Sequence, residues 1–176
     1  QRIGAHLRRC GVTVTETRPD GKAVSLAQRC AIANGIQGLD LFVSLHSNAA
    51  GGSRWSSAKG WSAYLYGAGG AREQAAQAIL KAVRAVGVTV RSAPSVSDPS
   101  LYVLKHTAAP AILIEHGFHT NQEDTANLKD SAWRAAVATS PMANVCHPSI
   151  ILTAENSRLS KSSSNAPVTV PVFSMR

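Results

Sequence analysis

Hydrophobic positions recur along this chain in two periods, and their alternation predicts an α/β protein. Ile3 and Leu7 stand four apart ahead of Arg8-Arg9 and Gly11, the pattern of a helix ending near residue 9. Residues 12–15 are β-branched throughout and predict a strand, and the Pro19-Asp20-Gly21 turn follows. Ser25 with Gln28 reads as a capping box opening a helix that Asn34-Gly35 closes. Residues 40–45 are short and largely apolar, a strand that ends on His46. Residues 51–57 form a polar, glycine-rich loop carrying Trp55, either a substrate lip or a plain surface connection. Residues 61–66 are strand-like and are broken by the glycines of 67–70. Ala75, Ala78, Ile79, Ala82, Val83 and Val86 repeat at helical spacing, so residues 71–86 predict a helix with a core-facing stripe. After a short extended piece at 88–90, the Ser/Pro-rich stretch 92–100 predicts loop and 101–104 an extended segment. Residues 111–114 are the apolar run of a fully buried strand, ending on Glu115 with Gly117 turning the backbone. Residues 123–138 predict a final helix with Trp133 toward the core. The resulting class is α/β, three-layer, with a mainly parallel twisted sheet flanked by helices.

Composition agrees with one globular domain. Residues number 176, with 44% hydrophobic, 16% charged and 5% aromatic, enough for a core without disulfide or metal staples. From Ser140 the composition changes: Pro141, Pro148, Pro167 and Pro171 interrupt it and residues 160–164 are polar. Residues 1–139 are therefore expected to be the folded domain, and 140–176 a tail or linker that packs poorly on it. No run approaches the roughly 18 apolar residues of a membrane span. The chain begins at Gln1 and not Met, so an absent signal peptide says little about secretion. The net charge of +8 favours a polyanionic partner. Nucleic acid is disfavoured because no basic run with interleaved aromatics occurs; a wall carrying acidic polymers fits, as does a generally basic surface without a partner. Cys10, Cys30 and Cys146 are odd in number and widely spaced, which suits small buried residues or free thiols.

The candidate chemistry lies at two strand ends. A carboxylate such as Glu115 at the carboxyl end of a buried strand is placed for proton transfer, although it also suits a solvated or helix-capping residue. A strand-end imidazole such as His46 can hold zinc or serve as a hydrogen-bonded structural group. Together they are the pair that a metal hydrolase needs. If so, their strands are neighbours and their polar atoms lie within roughly 8 Å, counting a metal bond, a water and a hydrogen bond.

With these two motifs the chain resembles the zinc-dependent N-acetylmuramoyl-L-alanine amidases of the autolysin and endolysin type. The resemblance rests on Thr17-Arg18-Pro19-Asp20, on Ser25-Leu26 with Arg29 and Ala33-Asn34, and on Phe42-Val43-Ser44-Leu45-His46-Ser47-Asn48-Ala49. It continues through residues 60–66, 101–105 and 110–121 with Asp124 and Leu128, in the family's order over residues 1–130. It implies cleavage of the amide between N-acetylmuramic acid and the L-alanine of the stem peptide, with zinc as cofactor, His46 as a metal ligand and Glu115 as catalytic general base. It also implies peptidoglycan and anionic wall polymers as partners, outside the cell or at the wall, or release by a phage at lysis. The family's other two zinc ligands, a strand-end His and a Glu opening the next helix, fall ahead of Gln1, so the chain is expected to lack its first strand and the start of the next helix. His106, His116 and His119 are the local alternatives; the last two match a Glu-His-Gly-Phe-His-Thr-Asn run of the family in which they look structural. Another zinc-dependent peptidase or deacetylase, or a non-catalytic basic wall-binding or nucleic-acid-binding protein, are the competing readings.

Overall fold

The computed structural model describes residues 1–52, 54–143 and 151–154. In chain order the elements are α1 (Arg2–Arg9), α2 (Leu26–Asn34), β1 (Phe42–Asn48), β2 (Trp61–Leu65), α3 (Gly70–Ala85), β3 (Val90–Ser97), α4 (Tyr102–His106), β4 (Ala111–Phe118), α5 (Gln122–Lys129), α6 (Ser131–Ala143) and β5 (Ile151–Ala154). The sheet order is β3-β2-β4-β1-β5. Among the described residues the pairs β1–β4, β1–β5 and β2–β3 are parallel and β2–β4 is antiparallel. The class is thus α/β with a mainly parallel sheet and helices on both faces.

The two central strands explain the layering. Phe42, Val43, Ser44 and Leu45 are buried in succession, as are Ala111, Ile112, Leu113 and Ile114. Successive strand residues point to opposite faces, so an unbroken buried run requires cover on both sides. The helices pack in two groups, α6 against α1 and α3, and α2 against α4. The capping box at α2 forms as expected: Ser25 Oγ accepts from the Gln28 N–H at 3.2 Å and Gln28 Oε1 accepts from the Ser25 N–H at 2.9 Å.

Several local expectations are corrected. Residues 12–15 pair with no strand among the described residues, although Val12 is buried; β-branching gives a preference that needs a neighbouring edge to act. The Ser/Pro-rich stretch 92–100 is largely strand, since β3 runs to Ser97 beside β2. As an edge strand it tolerates Pro94, whose missing N–H need not join a ladder. Leu101 is extended as expected, but residues 102–104 enter α4, where Val103 and Leu104 are both buried. The single helix expected over 123–138 is two, because Asp130 is extended (ψ 129) and its carboxylate accepts from the Trp133 N–H at 2.6 Å, opening α6 afresh. Trp133 does pack against the core.

Of residues 140–176, read from sequence as a tail or linker, 140–143 continue α6 and Ile151–Ala154 pair with Phe42–Leu45 as β5. The other tail positions, with Cys146, Pro148, Pro167 and Pro171, lie outside the described residues. Cys10 and Cys30 are free thiols, and no described helix is long and apolar enough to cross a membrane.

Candidate active site

β1 and β4 run side by side in register, Phe42 opposite Ala111 through His46 opposite Glu115. Register partners on adjacent strands project to the same face about 4.8 Å apart at the backbone, so the imidazole and the carboxylate are neighbours. On its other side, β2 sets Ser62 opposite Glu115. Glu115 therefore stands between a half-buried histidine and a fully buried serine. Ser44, two residues back on the same face as His46, is fully buried and places its hydroxyl 2.8 Å from His46 Nε2, which fixes the ring.

Neither residue is strictly a strand end, as the sequence suggested. β1 continues to Asn48 and β4 to Phe118, but the ladder slips between them. His46 faces Glu115 and Asn48 faces Phe118, so two steps on β1 match three on β4. This extra residue is a β-bulge, a device that bends a strand and re-aims its side chains. Gly117 carries it at φ 143, outside the range L side chains adopt readily. The bulge is held by Asp124, a buried carboxylate from the first turn of α5. It accepts from the Phe118 N–H at 2.7 Å and from the Gly60 N–H, just ahead of β2, at 2.8 Å.

The other histidines sort by location. His106, at the end of α4, stacks on Tyr102 with ring centroids 4.2 Å apart, and its carbonyl accepts from Asn34 of α2. It belongs to the α2–α4 contact, before β4 begins. His119 follows β4, its N–H donating to the Asn48 carbonyl at 2.9 Å and its Nδ1 lying 3.1 Å from Ser47 Oγ. Burial lowers its pKa, partly offset by the Ser47 backbone. His116 lies beside the site: burial, and secondarily the charge of nearby His46, depress its pKa from 6.5 to about 4. The folded state thus binds fewer protons than the unfolded chain between these values, and protonation favours unfolding. The metal-free protein should lose on the order of 2–3 kcal/mol as pH falls from 6.5 to 4. Urea midpoints across this range should show the slope in the parent and a shallower one in His116→Gln.

Whether these residues fit zinc follows from the donors. Catalytic zinc takes three protein ligands. Among the described residues no three His, Cys, Asp or Glu side chains come together to hold a metal ion. One imidazole beside a carboxylate is an incomplete set, which leaves Glu115 as the group here able to move a proton. His46 and Glu115, the two residues that the sequence pattern singles out, are brought together by the fold. The places of Ser44 and Ser62 and the bracing by Asp124 appear only in the fold. Asn121-x-x-Asp124 signals only a helix start, and nothing local points to Gly60, distant in the chain.

Comparison with known proteins extends this picture. The chain is 36% identical over 132 residues to the N-acetylmuramoyl-L-alanine amidase CwlM of Bacillus licheniformis, covering 72% of this chain and 47% of that protein. It is 32% identical to the endolysin of Bacillus phage SPP1, covering 72% of this chain and 46% of that one. It thus spans about half the length of these relatives. The catalytic domain of CwlV, an N-acetylmuramoyl-L-alanine amidase from Bacillus (Paenibacillus) polymyxa var. colistinus, superposes with a TM-score of 0.68 at 25% identity, covering 82% of this chain and 76% of that domain. The model of the N-acetylmuramoyl-L-alanine amidase family matches residues 1–146, and the chain belongs to that family.

Proposed function

We propose that this chain is the catalytic part of a peptidoglycan hydrolase, with residues 1–139 as the main body of its amidase-like domain, Glu115 as general base and acid, and His46 as one zinc ligand. The observation that carries this reading is the register pairing of His46 with Glu115 beside Ser62. The substrate is the amide joining the lactyl group of N-acetylmuramic acid to L-alanine. Water attacks the carbonyl carbon while Glu115 takes its proton. The tetrahedral intermediate then collapses, the C–N bond breaks, and Glu115 returns the proton to the departing amine. Ser44 serves by holding the His46 ring, and the Asp124 brace by holding the strand end that follows Glu115. The net charge of +8 favours approach to anionic wall polymers, at the cell wall or at phage lysis.

Purified muropeptides incubated with the zinc-loaded protein test the assignment. A new alanine amino terminus together with a free lactyl carboxyl supports it. Cleavage between stem residues, or release of acetate, would instead identify a peptidase or a deacetylase.

A further inference from the structure

Trp55 differs from the other two tryptophans of this chain in its exposure. Trp61 is fully buried and Trp133 packs on the core, whereas Trp55 is 54% exposed. No hydrogen bond or ring contact engages its side chain among the described residues. Exposed Tyr102 differs, since it stacks on His106.

Yet the backbone beneath Trp55 is firmly held. Both backbone groups of Ser56 are tied to the corner after β4: its N–H donates to the Thr120 carbonyl at 2.8 Å and its carbonyl accepts from Asn121 Nδ2 at 2.9 Å. Further along, Lys59 pairs with Glu123 at 2.6 Å and the Gly60 N–H reaches Asp124. On the other side, the Ala50 N–H donates to Thr120 Oγ1 at 2.9 Å. Anchored on either side of Trp55, the backbone has little conformational entropy left to lose when a ligand covers the indole. Its anchor, Thr120, follows Glu115 by five residues, at most roughly 17 Å along extended chain. A polymer cut at Glu115 reaches that far.

We propose that Trp55 is a stacking subsite for a pyranose ring of the wall glycan, alongside the cleavage site. This rests on the amidase reading, which makes the substrate a glycan bearing short peptides. An indole face suits the flat C–H face of a sugar, while an alanine-initiated peptide offers no such face.

The test uses the 176-residue chain itself and its own tryptophan emission, with a β-1,4-linked N-acetylglucosamine tetramer and an alanine-initiated stem peptide as separate probes. The tetramer should shift the emission saturably and the peptide should not. Trp55→Ala should remove the shift and weaken tetramer binding about five- to tenfold by an independent calorimetric titration, with Trp55→Phe in between. Circular dichroism should match the parent, because the side chain is exposed. Absent tetramer binding, unchanged affinity in Trp55→Ala, or Trp55-dependent binding of the peptide alone would each overturn the proposal. Trp55-dependent tetramer binding, with no muropeptide cleavage by protein carrying stoichiometric zinc, would sink the amidase reading and leave the subsite standing. Normal cleavage with no Trp55 effect on binding would do the reverse.

Discussion

Glu115→Gln should reduce amide turnover by about 10²- to 10⁴-fold in the zinc-loaded enzyme, with bound zinc unchanged. Gln keeps the size and hydrogen-bonding reach of the side chain but cannot take a proton from water. The β4 register and the neighbouring Ser62 leave no reason for the backbone to move. His46→Ala should instead lose the metal along with the activity, because an alanine offers no ligand. Zinc content measured beside initial rates on a muropeptide separates these outcomes. The 176 residues alone should bind zinc weakly, since one imidazole beside a carboxylate falls short of three ligands. Zinc lost in Glu115→Gln would show that this carboxylate coordinates. Stoichiometric zinc in the isolated chain would show that the donor set is wider than His46.

What the sequence displayed and what it hid divide along physical lines. The strands at 42–45 and 111–114 were legible because burial on both faces forces unbroken apolar runs. The start of α2 was legible because a capping box is a local code. β3 was hidden because an edge strand needs no apolar run and bears Ser and Pro freely. The α5–α6 break was hidden because apolar spacing continues across Asp130, and only the extended backbone there reveals a second start. At the site, residue types and strand positions suggested His46 and Glu115, while their direct pairing depends on strand order, which no local pattern encodes. The bulge was half-visible. Gly117 signalled an unusual backbone, but its partner Asp124 acts across the corner and, through Gly60, across the sheet.

That brace carries the second large effect. Asp124→Ala should destabilise the fold by about 3–5 kcal/mol, because two amides lose a charged acceptor and buried N–H groups left unpaired are costly. Gly117→Ala should cost about 2–4 kcal/mol by a different route. A Cβ there would lie 2.9 Å from the Asp124 carboxylate, on a backbone at φ 143. The two costs share one contact, so they should not add. In the double variant the methyl group introduced at position 117 no longer meets a carboxylate, and only the backbone strain of the glycine substitution persists. Urea unfolding of the four proteins measures this coupling, expected at about 1–2 kcal/mol in the direction of rescue. Strict additivity would mean that Asp124 yields freely to a Cβ and that the bulge after Glu115 is held by other contacts.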